Sequence, residues 1–296
     1  MRVFVTGASG HIGSAVVPEL LQAGHQVVGL ARSDASAAAV QASGAEVHRG
    51  DLDDLDGLRK AAADADAVVH LAFDHGSMAA GRFADAVAAD HAVVRAFGDA
   101  LAGSGKTFVG VGLTHTGDAR RDAAIDANPR SAVARTIAGL TERDVRALLV
   151  GIPPVTHSAR DQRGFIPSMI RIARETGVSG YVGDGANRWP AGHVLDIGRL
   201  YPLALDEAPA GSGLCAATEE GVTVREIAET IGRHLGIPVV SIPAERAADH
   251  FKALPFITLD ITMPNAETRQ LLGWEPVHPG LIADLDQGHY FTAASG

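Results

Sequence analysis

Glycines at positions 7, 10 and 13 form the stretch of this sequence with the clearest chemical purpose. They follow a short apolar run and precede a helical pattern of apolar residues. A helix that starts after such a turn presents free N–H groups and a positive dipole end, which favour a phosphate group. Gly7 permits the tight turn, Gly10 lets backbone approach a pyrophosphate, and Gly13 lets the helix pack closely on the strand. The spacing predicts a dinucleotide-binding turn; the alternative is an ordinary glycine-rich connection.

Three histidines that lie just past the ends of the fourth, fifth and sixth predicted strands are candidates for proton transfer. They are His75, His115 and His157. Ligands of parallel sheets bind beyond the carboxyl ends of the strands, so we expect these rings to meet in one cleft. Histidine titrates near neutral pH and can give or take a proton there. We predict that His115, assisted by Thr114 or Thr116, bonds the reacting oxygen. His75 or His157 is then a second acid/base or a substrate anchor, unless these rings only satisfy turn backbone.

The residues after the second predicted strand bear on the choice of nucleotide. A site selective for NAD places an acidic residue there to bond the ribose 2′-hydroxyl. This sequence has Arg32 and Ser33 instead, a cation and a hydroxyl where a 2′-phosphate would lie. The planar guanidinium suits a phosphate. We therefore predict NADP rather than NAD as the cofactor, the alternative being a solvated arginine beside a helix cap.

Alternating apolar and helical segments indicate the elements that position these residues. The first 150 residues contain six short apolar runs, and helical patterns separate most of them. The alternation predicts a doubly wound parallel sheet of the Rossmann type, with helices on both faces. The predicted strands are 3–5, 26–30, 45–49, 67–72, 107–111 and 146–150, and helices are expected over 55–63, 83–101 and 129–141.

Beyond residue 157 the pattern becomes mixed, which indicates a smaller second part. Helices are expected over 165–175, 223–235, 244–252, 265–272 and 280–291, with Asp196 as the N-cap of a further helix. We interpret residues 1–157 as a nucleotide-binding domain that also receives parts of 190–220. Residues 158–296 are then mainly an α/β cap that binds the substrate.

Composition excludes several classes of function. A formal charge of −10 without a long basic run disfavours nucleic acid and membrane surfaces as partners. One cysteine excludes an intrachain disulfide framework, and no compact spacing of ligands predicts a metal site. No signal peptide or bilayer-spanning run is recognisable, so we expect a cytoplasmic location. The expected partner is a small-molecule substrate, and a homodimer stays open.

Several motifs together resemble the extended and atypical short-chain dehydrogenase/reductases. This group includes the NAD-dependent epimerase/dehydratases and the 3β-hydroxysteroid dehydrogenase-like enzymes. The resemblance extends over essentially the whole chain and is expected to hold for the fold. The matching motifs are Thr6-Gly7-Ala8-Ser9-Gly10-His11-Ile12-Gly13, Gly50-Asp51-Leu52, His70-Leu71-Ala72, Tyr181-Val182-Gly183-Asp184-Gly185, His193-Val194-Leu195-Asp196 and Leu272-Gly273-Trp274-Glu275-Pro276.

The resemblance also implies which residues contact the cofactor. The glycine-rich loop would hold the pyrophosphate, two residues would flank the adenine, three would line the nicotinamide side, and two would close over the ring. In that order the residues are Gly7, Ser9, Gly10, His11, Ile12 and Gly13, then Asp51 and Leu52, then Leu71, Ala72 and Phe73, then Ile152 and Pro153.

The catalytic signature of that group, a tyrosine followed four residues later by a lysine, is absent from the helix after the fifth strand. The chain has tyrosines only at 181, 201 and 290 and lysines only at 60, 106 and 252. Ser131 and Arg135 have the matching spacing on that helix, but a serine hydroxyl is far too weak an acid to replace the phenol.

We therefore expect an NADP(H)-binding oxidoreductase that acts on a small carbonyl or alcohol, with histidine and threonine in place of the missing pair. Two alternatives stay open. One is a non-redox dehydratase, cyclase or isomerase in the same cleft, and the other is a catalytically silent NADP sensor.

Overall fold

The computed structural model describes residues 1–113, 119–252, 254 and 256–292. The chain divides into two compact units. The first comprises Met1–Ile152, Ile197–Cys215 and Glu267–Trp274, and the second comprises Pro153–Asp196, Ala216–Ala266 and Glu275–Gly296. Across the described residues, no helix combines the length and the apolar character needed to cross a membrane.

Strands and helices alternate through the first half of the chain. In order they are β1 (Arg2–Thr6), α1 (Gly13–Gln22), β2 (Gln26–Ala31), α2 (Asp34–Ala42), β3 (Glu46–Arg49), α3 (Leu55–Ala63), β4 (Ala67–His70), α4 (His75–Ala79), α5 (Phe83–Leu101), β5 (Thr107–Val111), α6 (Ala119–Ala127), α7 (Ser131–Gly139) and β6 (Arg146–Gly151).

The second half is more mixed, and two 3₁₀ turns, Leu140–Arg143 and Ala244–Arg246, complete the description. Its elements are β7 (Val155–His157), α8 (Phe165–Thr176), β8 (Ser179–Val182), β9 (Arg188–His193), α9 (Val194–Glu207), β10 (Gly213–Cys215), β11 (Glu219–Thr223), α10 (Val224–Leu235), β12 (Val239–Ile242), α11 (Ala247–His250), α12 (Ala266–Leu272) and α13 (Leu281–Asp286).

The first unit contains a seven-stranded sheet in the order β10-β6-β5-β4-β1-β2-β3, and each neighbouring pair is parallel. The predicted doubly wound parallel sheet is confirmed. The order reverses at β1, because β2 and β3 continue on one side of it and β4 to β6 on the other. A crevice at such a reversal, outside the carboxyl ends of the strands, is where ligands of this architecture bind.

Apolar residues of the sheet and of the flanking helices α3, α5 and α7 form a core on one face. Phe4, Phe97 and Phe108 are each at most 1% exposed, and their rings contact one another edge-on or at a tilt. Such aromatic pairs stabilise a core beyond the apolar area that they bury. The core holds the central strands rigid and thereby fixes the loops at their carboxyl ends.

The second unit has two small sheets, β11-β9-β7 and β12-β8. Within the first of these, β7 pairs in parallel with β9, and the register places His157 beside His193. A separate apolar core, which includes Trp189, Ile166 and Leu285, packs among α8, α10 and α13. The strands of this unit were not predicted, because Gly-rich and Pro-containing sequence obscured their alternation.

Several predicted boundaries were wrong. The helix expected over 129–141 begins at Ser131, and Pro129 lies before its N-cap. Asp196 is not the N-cap of its helix, because α9 follows β9 without a break and already begins at Val194. The helix expected over 280–291 ends at Asp286, and the one expected over 244–252 is a 3₁₀ turn followed by a single helical turn.

Candidate functional site

The glycine-rich turn after β1 is built so tightly that two of its positions tolerate no side chain. Gly7 has a φ of +68°, and a Cβ there would lie 2.8 Å from the backbone nitrogen of Ala72. A Cβ on Gly13 would lie 2.1 Å from the carbonyl oxygen of Gly7. Both roles predicted for these glycines, the tight turn and the close approach of helix to strand, match this backbone packing.

Ser9 and Gly10 form the open part of the turn. Both are exposed, and a Cβ on Gly10 would meet only the Gly7 carbonyl oxygen, at 3.1 Å. His11 and Ile12 are half-buried and lead into the buried first residue of α1, Gly13. The turn thus leaves backbone facing solvent at the amino end of a ten-residue helix, an arrangement that suits an anion.

The other predicted cofactor residues of the first unit also follow the carboxyl ends of strands. Because those strands are parallel, the residues lie along one edge of the sheet. Arg32 and Ser33 follow β2, Asp51 and Leu52 follow β3, Leu71, Ala72 and Phe73 follow β4, and Ile152 follows β6. Pro153 begins the second unit.

Arg32 is exposed, and in the described chain its guanidinium forms no hydrogen bond or salt bridge. Its positive charge helps to lower the pKa of Asp74, which is lowered chiefly by hydrogen bonds from Ser77. Ser33 is the N-cap of α2 and forms a capping box with Ser36. The cap explains why a serine stands at 33, and it leaves Arg32 as the group available to a phosphate.

Asp51 is exposed at the end of the third strand, and its carboxylate accepts a 2.6 Å hydrogen bond from the Leu52 backbone N–H. Leu52 packs on the apolar core of the first unit. This local bond fixes the turn, and the rest of the Asp51 carboxylate faces solvent.

A buried polar chain links the ends of β1 and β4 to α5. The Thr6 hydroxyl lies 2.6 Å from His70 Nδ1 and accepts a hydrogen bond from the Ala72 N–H. His70 Nε2 lies 3.0 Å from Asp90 Oδ1, and the other Asp90 oxygen lies 3.3 Å from the Arg130 guanidinium. Since an ionised carboxylate only accepts, His70 donates through Nε2–H, and Nδ1 accepts from Thr6 when the ring is neutral. The side chains of His70 and Asp90 are each 3% exposed.

Arg130 connects this chain to the aromatic residues after β4. Its guanidinium carbon lies 4.5 Å from the centre of the Phe73 ring, and its Nε is buried with no hydrogen-bond partner among the described residues. His75, the first residue of α4, contacts Phe73 edge-to-face at 5.4 Å. More than a third of His75 is exposed, yet partial burial and the positive charge of Arg130 lower the pKa of its imidazole. His75 is therefore neutral at pH 7 and able to accept a proton.

The structure leaves part of the predicted catalytic set undescribed. Thr114, His115 and Thr116 lie outside the described residues, so their proposed roles stay predictions. His75 belongs to the first unit, whereas His157 belongs to the second and is fully buried. The expectation that the three imidazoles share one cleft stays a prediction.

His157 lies in a cluster of histidines and aspartates within the second unit. Its Nδ1 is 2.8 Å from Asp284 Oδ2, and its ring contacts His193 at 5.3 Å. His193 also stacks on His278 at 4.7 Å. Burial and the neighbouring His157 and His278 lower the pKa of His193 to about 4. Asp196, predicted as a helix cap, instead accepts hydrogen bonds from the backbone of residues 277 and 278 and contacts the His278 ring.

Two of the three tyrosines have phenols that ionise less readily than a free tyrosine. Tyr201 is buried in α9, and burial raises its pKa. Burial and Asp161 likewise raise the pKa of Tyr290. On α7, the Ser131 hydroxyl is buried and donates weakly to the Asp126 carbonyl at 3.4 Å, and Arg135 pairs with the Asp126 carboxylate at 3.5 Å. Ser131 and Arg135, which have the spacing of the absent Tyr/Lys pair, thus both contact Asp126.

Asp90 and Arg130 were missed by the sequence reasoning. Asp90 was detectable, because it is a charged residue within the apolar stripe of α5 formed by Ala86, Val87, Val93 and Val94. Arg130 gave no signal, because it precedes α7 in a connection and meets Asp90 and Phe73 only through the tertiary fold.

Comparison with known proteins gives concordant results. The model of the family described as "NAD dependent epimerase/dehydratase family" matches residues 3–122. An uncharacterised protein of Schizosaccharomyces pombe is 39% identical, the match covering 98% of this chain and 100% of that protein. One of Saccharomyces cerevisiae is 38% identical, with 96% and 98% covered. In fold, the chain resembles the dTDP-glucose 4,6-dehydratase DesIV of Streptomyces venezuelae, solved with NAD bound: TM-score 0.72, 21% identity, 98% and 96% covered.

Proposed function

Because the chain belongs to the NAD dependent epimerase/dehydratase family, we propose that its glycine-rich turn binds the pyrophosphate of a nicotinamide dinucleotide. The observation that carries this proposal is the backbone packing at Gly7 and Gly13. A side chain at Gly7 would collide with the backbone of Leu71 and Ala72 after β4, and one at Gly13 with the backbone of Gly7 and Ala8. Ser9 and Gly10 between them are exposed. Such a turn at the amino end of a helix suits a diphosphate better than any other common ligand group.

The remaining cofactor contacts follow from the residues along the same edge of the sheet. Asp51 and Leu52 are proposed to flank the adenine, and Leu71, Ala72 and Phe73 to line the nicotinamide side. His11 and Ile12 complete the pyrophosphate loop. Ile152 and Pro153 are proposed to close over the ring. The buried Nε of Arg130 beside Phe73, which has no partner within the described residues, is a further donor at this edge.

We propose NADP as the preferred nucleotide, although the solved dehydratase neighbour holds NAD. The proposal is supported by Arg32, an exposed cation with no salt bridge in the described chain. No carboxylate occupies the first two positions after β2, and the nearest downstream one, that of Asp34, already pairs with Arg49. A free guanidinium matches a 2′-phosphate, whereas it gains little from a 2′-hydroxyl.

We expect Arg32→Ala to weaken NADP binding about tenfold to a hundredfold while it changes NAD binding less than threefold. The loss of one charge-assisted hydrogen bond to phosphate, ~1.5–3 kcal/mol, sets the scale. Both dissociation constants can be measured by calorimetry. Arg59→Ala is the matched control, because Arg59 is also exposed but pairs with Asp56 on α3. Equal losses for the two nucleotides would contradict the assignment of Arg32.

For the chemistry, we propose an oxidoreductase that acts on a small carbonyl or alcohol. A bound nicotinamide would supply hydride transfer, and the chain supplies the proton and the orientation of the substrate. His75 is neutral at pH 7 and lies beside Phe73 at the proposed nicotinamide edge. His75 is thus proposed to accept or return the proton of the reacting oxygen, together with His115 or Thr114 as predicted from the sequence.

A non-redox reaction in the same site is the second candidate. It is favoured by the absence of the Tyr/Lys pair from α7, where Ser131 and Arg135 engage Asp126. Without that pair, acid/base groups alone can still support a dehydration or an isomerisation.

The two candidates are distinguished by incubating the enzyme with NADPH, or with NADP, and a panel of small ketones and alcohols. An oxidoreductase changes nicotinamide absorbance in proportion to product. We expect His75→Gln and His115→Ala each to lower turnover at least tenfold with nucleotide binding retained. Substrate conversion without net absorbance change supports the non-redox candidate. Tight nucleotide binding without conversion of any panel member would contradict both and favour a sensor.

A further inference from the structure

The second unit brings two imidazoles and a carboxylate together in its interior. His157 ends β7, His193 ends β9 and Asp284 lies in α13. One potential ligand atom from each residue lies within 4.8 Å of the other two. The three side chains are buried, with exposures of 0%, 7% and 2% for the residues. From this arrangement we infer that the second unit binds a divalent transition metal ion of the zinc class.

The strand register determines the distance between the two histidines. The parallel pairing of β7 with β9 puts the Cα atoms of His157 and His193 opposite each other. Their rings then meet nearly perpendicularly, at an interplanar angle of 84°. Both rings therefore reach the same small volume without any change in the backbone.

Asp284 prepares His157 for metal binding. Its Oδ2 lies 2.8 Å from His157 Nδ1. When His157 donates Nδ1–H to this carboxylate, its Nε2 carries a lone pair, which is the form of histidine that ligates a metal. That Nε2 is buried and has no hydrogen-bond partner among the residues that the structure describes. A buried acceptor without a partner is unfavourable unless a ligand satisfies it, so this nitrogen points to a ligand.

A third histidine lies next to the carboxylate of Asp284. The Nε2 of His289 is 3.7 Å from Asp284 Oδ2, and this nitrogen is also buried, with no hydrogen-bond partner in the described part of the chain. The imidazole nitrogens of His157 and His193 are donors that suit Zn²⁺, with Asp284 holding the Nδ1–H of His157 as its outer partner, whereas the all-oxygen sets preferred by Mg²⁺ and Ca²⁺ are absent from this cluster. The low exposure of the ligands fits a closed, structural site rather than one open to substrate.

The sequence did not predict this site, because its residues are scattered. His157 and His193 lie on separate strands, and Asp284 comes from a helix near the end of the chain. Compact metal motifs place two ligands within a few residues of each other. Here the fold alone assembles the ligands, and the earlier expectation of no metal rested on that missing spacing.

The test uses the full chain without a histidine tag, stripped with a chelator and titrated with Zn²⁺ alone. We expect one ion per chain with a dissociation constant below about 1 μM, and about tenfold to a hundredfold weaker binding for Asp284→Asn. Asp286→Asn is the matched control. It lies on the same helix and its carboxylate also contacts a histidine, His234, at 3.0 Å, but this pair is on the surface. We expect this control to bind Zn²⁺ within threefold of the wild type.

Two further measurements keep the proposal testable if Asp284→Asn does not fold. His193→Gln retains a polar side chain of similar reach and should also weaken Zn²⁺ at least a hundredfold. Co²⁺ bound to the wild-type chain should show the visible bands of tetrahedral coordination. Absence of one-to-one Zn²⁺ binding, an octahedral Co²⁺ spectrum, or equal effects of Asp284→Asn and Asp286→Asn would each overturn the proposal.

Discussion

Replacing Gly13 with alanine is expected to weaken binding of the nicotinamide nucleotide at least a hundredfold. The added Cβ would lie 2.1 Å from the carbonyl oxygen of Gly7 and 2.8 Å from backbone atoms of Ala8. Neither neighbour is a flexible side chain, so the start of α1 must move away from β1. The backbone N–H groups that are proposed to hold the pyrophosphate move with it. A hundredfold loss corresponds to ~2.7 kcal/mol of binding free energy.

Calorimetry with NADP measures this effect, and thermal unfolding measures the accompanying loss of stability, expected to be ~1–3 kcal/mol. Gly139→Ala is the matched control. Gly139 ends α7 with a φ of −66°, and a Cβ there meets nothing within 4 Å. This control should bind NADP like the wild type. Unchanged NADP affinity in a folded Gly13→Ala variant would contradict the proposed role of the turn.

The second large effect is expected from Asp90→Asn. Asp90 is 5% exposed and accepts from both His70 and Arg130. The amide has nearly the same shape but carries no charge, and its NH₂ group must face one of these two donors. The substitution leaves the Arg130 guanidinium without its carboxylate partner. The Arg130 side chain is 29% exposed, so the charge left behind is partly solvated. We therefore expect a loss of ~1.5–3 kcal/mol in the free energy of unfolding, the scale of a hydrogen bond to a charged group.

Urea unfolding of Asp90→Asn and Asp99→Asn provides the measurement and its control. Asp99 lies on the same helix, α5, and also pairs with an arginine, Arg143, at 3.0 Å, but both of these side chains are about half exposed. An exposed pair of this kind contributes less than ~1 kcal/mol. If the two variants lose the same stability, the interpretation of Asp90 as the buried centre of the hydrogen-bonded side chains from Thr6 to Arg130 is wrong.

The sheet, and the edge along which the proposed cofactor residues lie, were predictable from sequence because the pattern of each short segment agreed with the fold. The run at residues 3–5 is short, apolar and followed by glycines, and α3 and α5 have the predicted bounds. Such segments need no information from distant residues. The same is true of Arg32, since its position relative to the nucleotide turn follows from the order of strands in this architecture.

The two groups of contacting polar side chains were not predictable, because their residues come from segments that are distant in the sequence. The chain from Thr6 through His70 and Asp90 to Arg130 joins four segments of the first unit. In the second unit, the contact of His157 with Asp284 joins residues 127 positions apart. The position of His157 after the sixth predicted strand suggested a loop, whereas it ends a strand of another sheet. Pairing in that sheet depends on tertiary context that periodicity does not reveal.

Calorimetric titration of the full chain with NADP and with NAD tests the central claim most directly. The account predicts saturable binding of one dinucleotide per chain, with NADP bound more tightly because Arg32 meets its 2′-phosphate. A folded chain that releases or absorbs no heat with either nucleotide, and shows no thermal stabilisation by them, would contradict it.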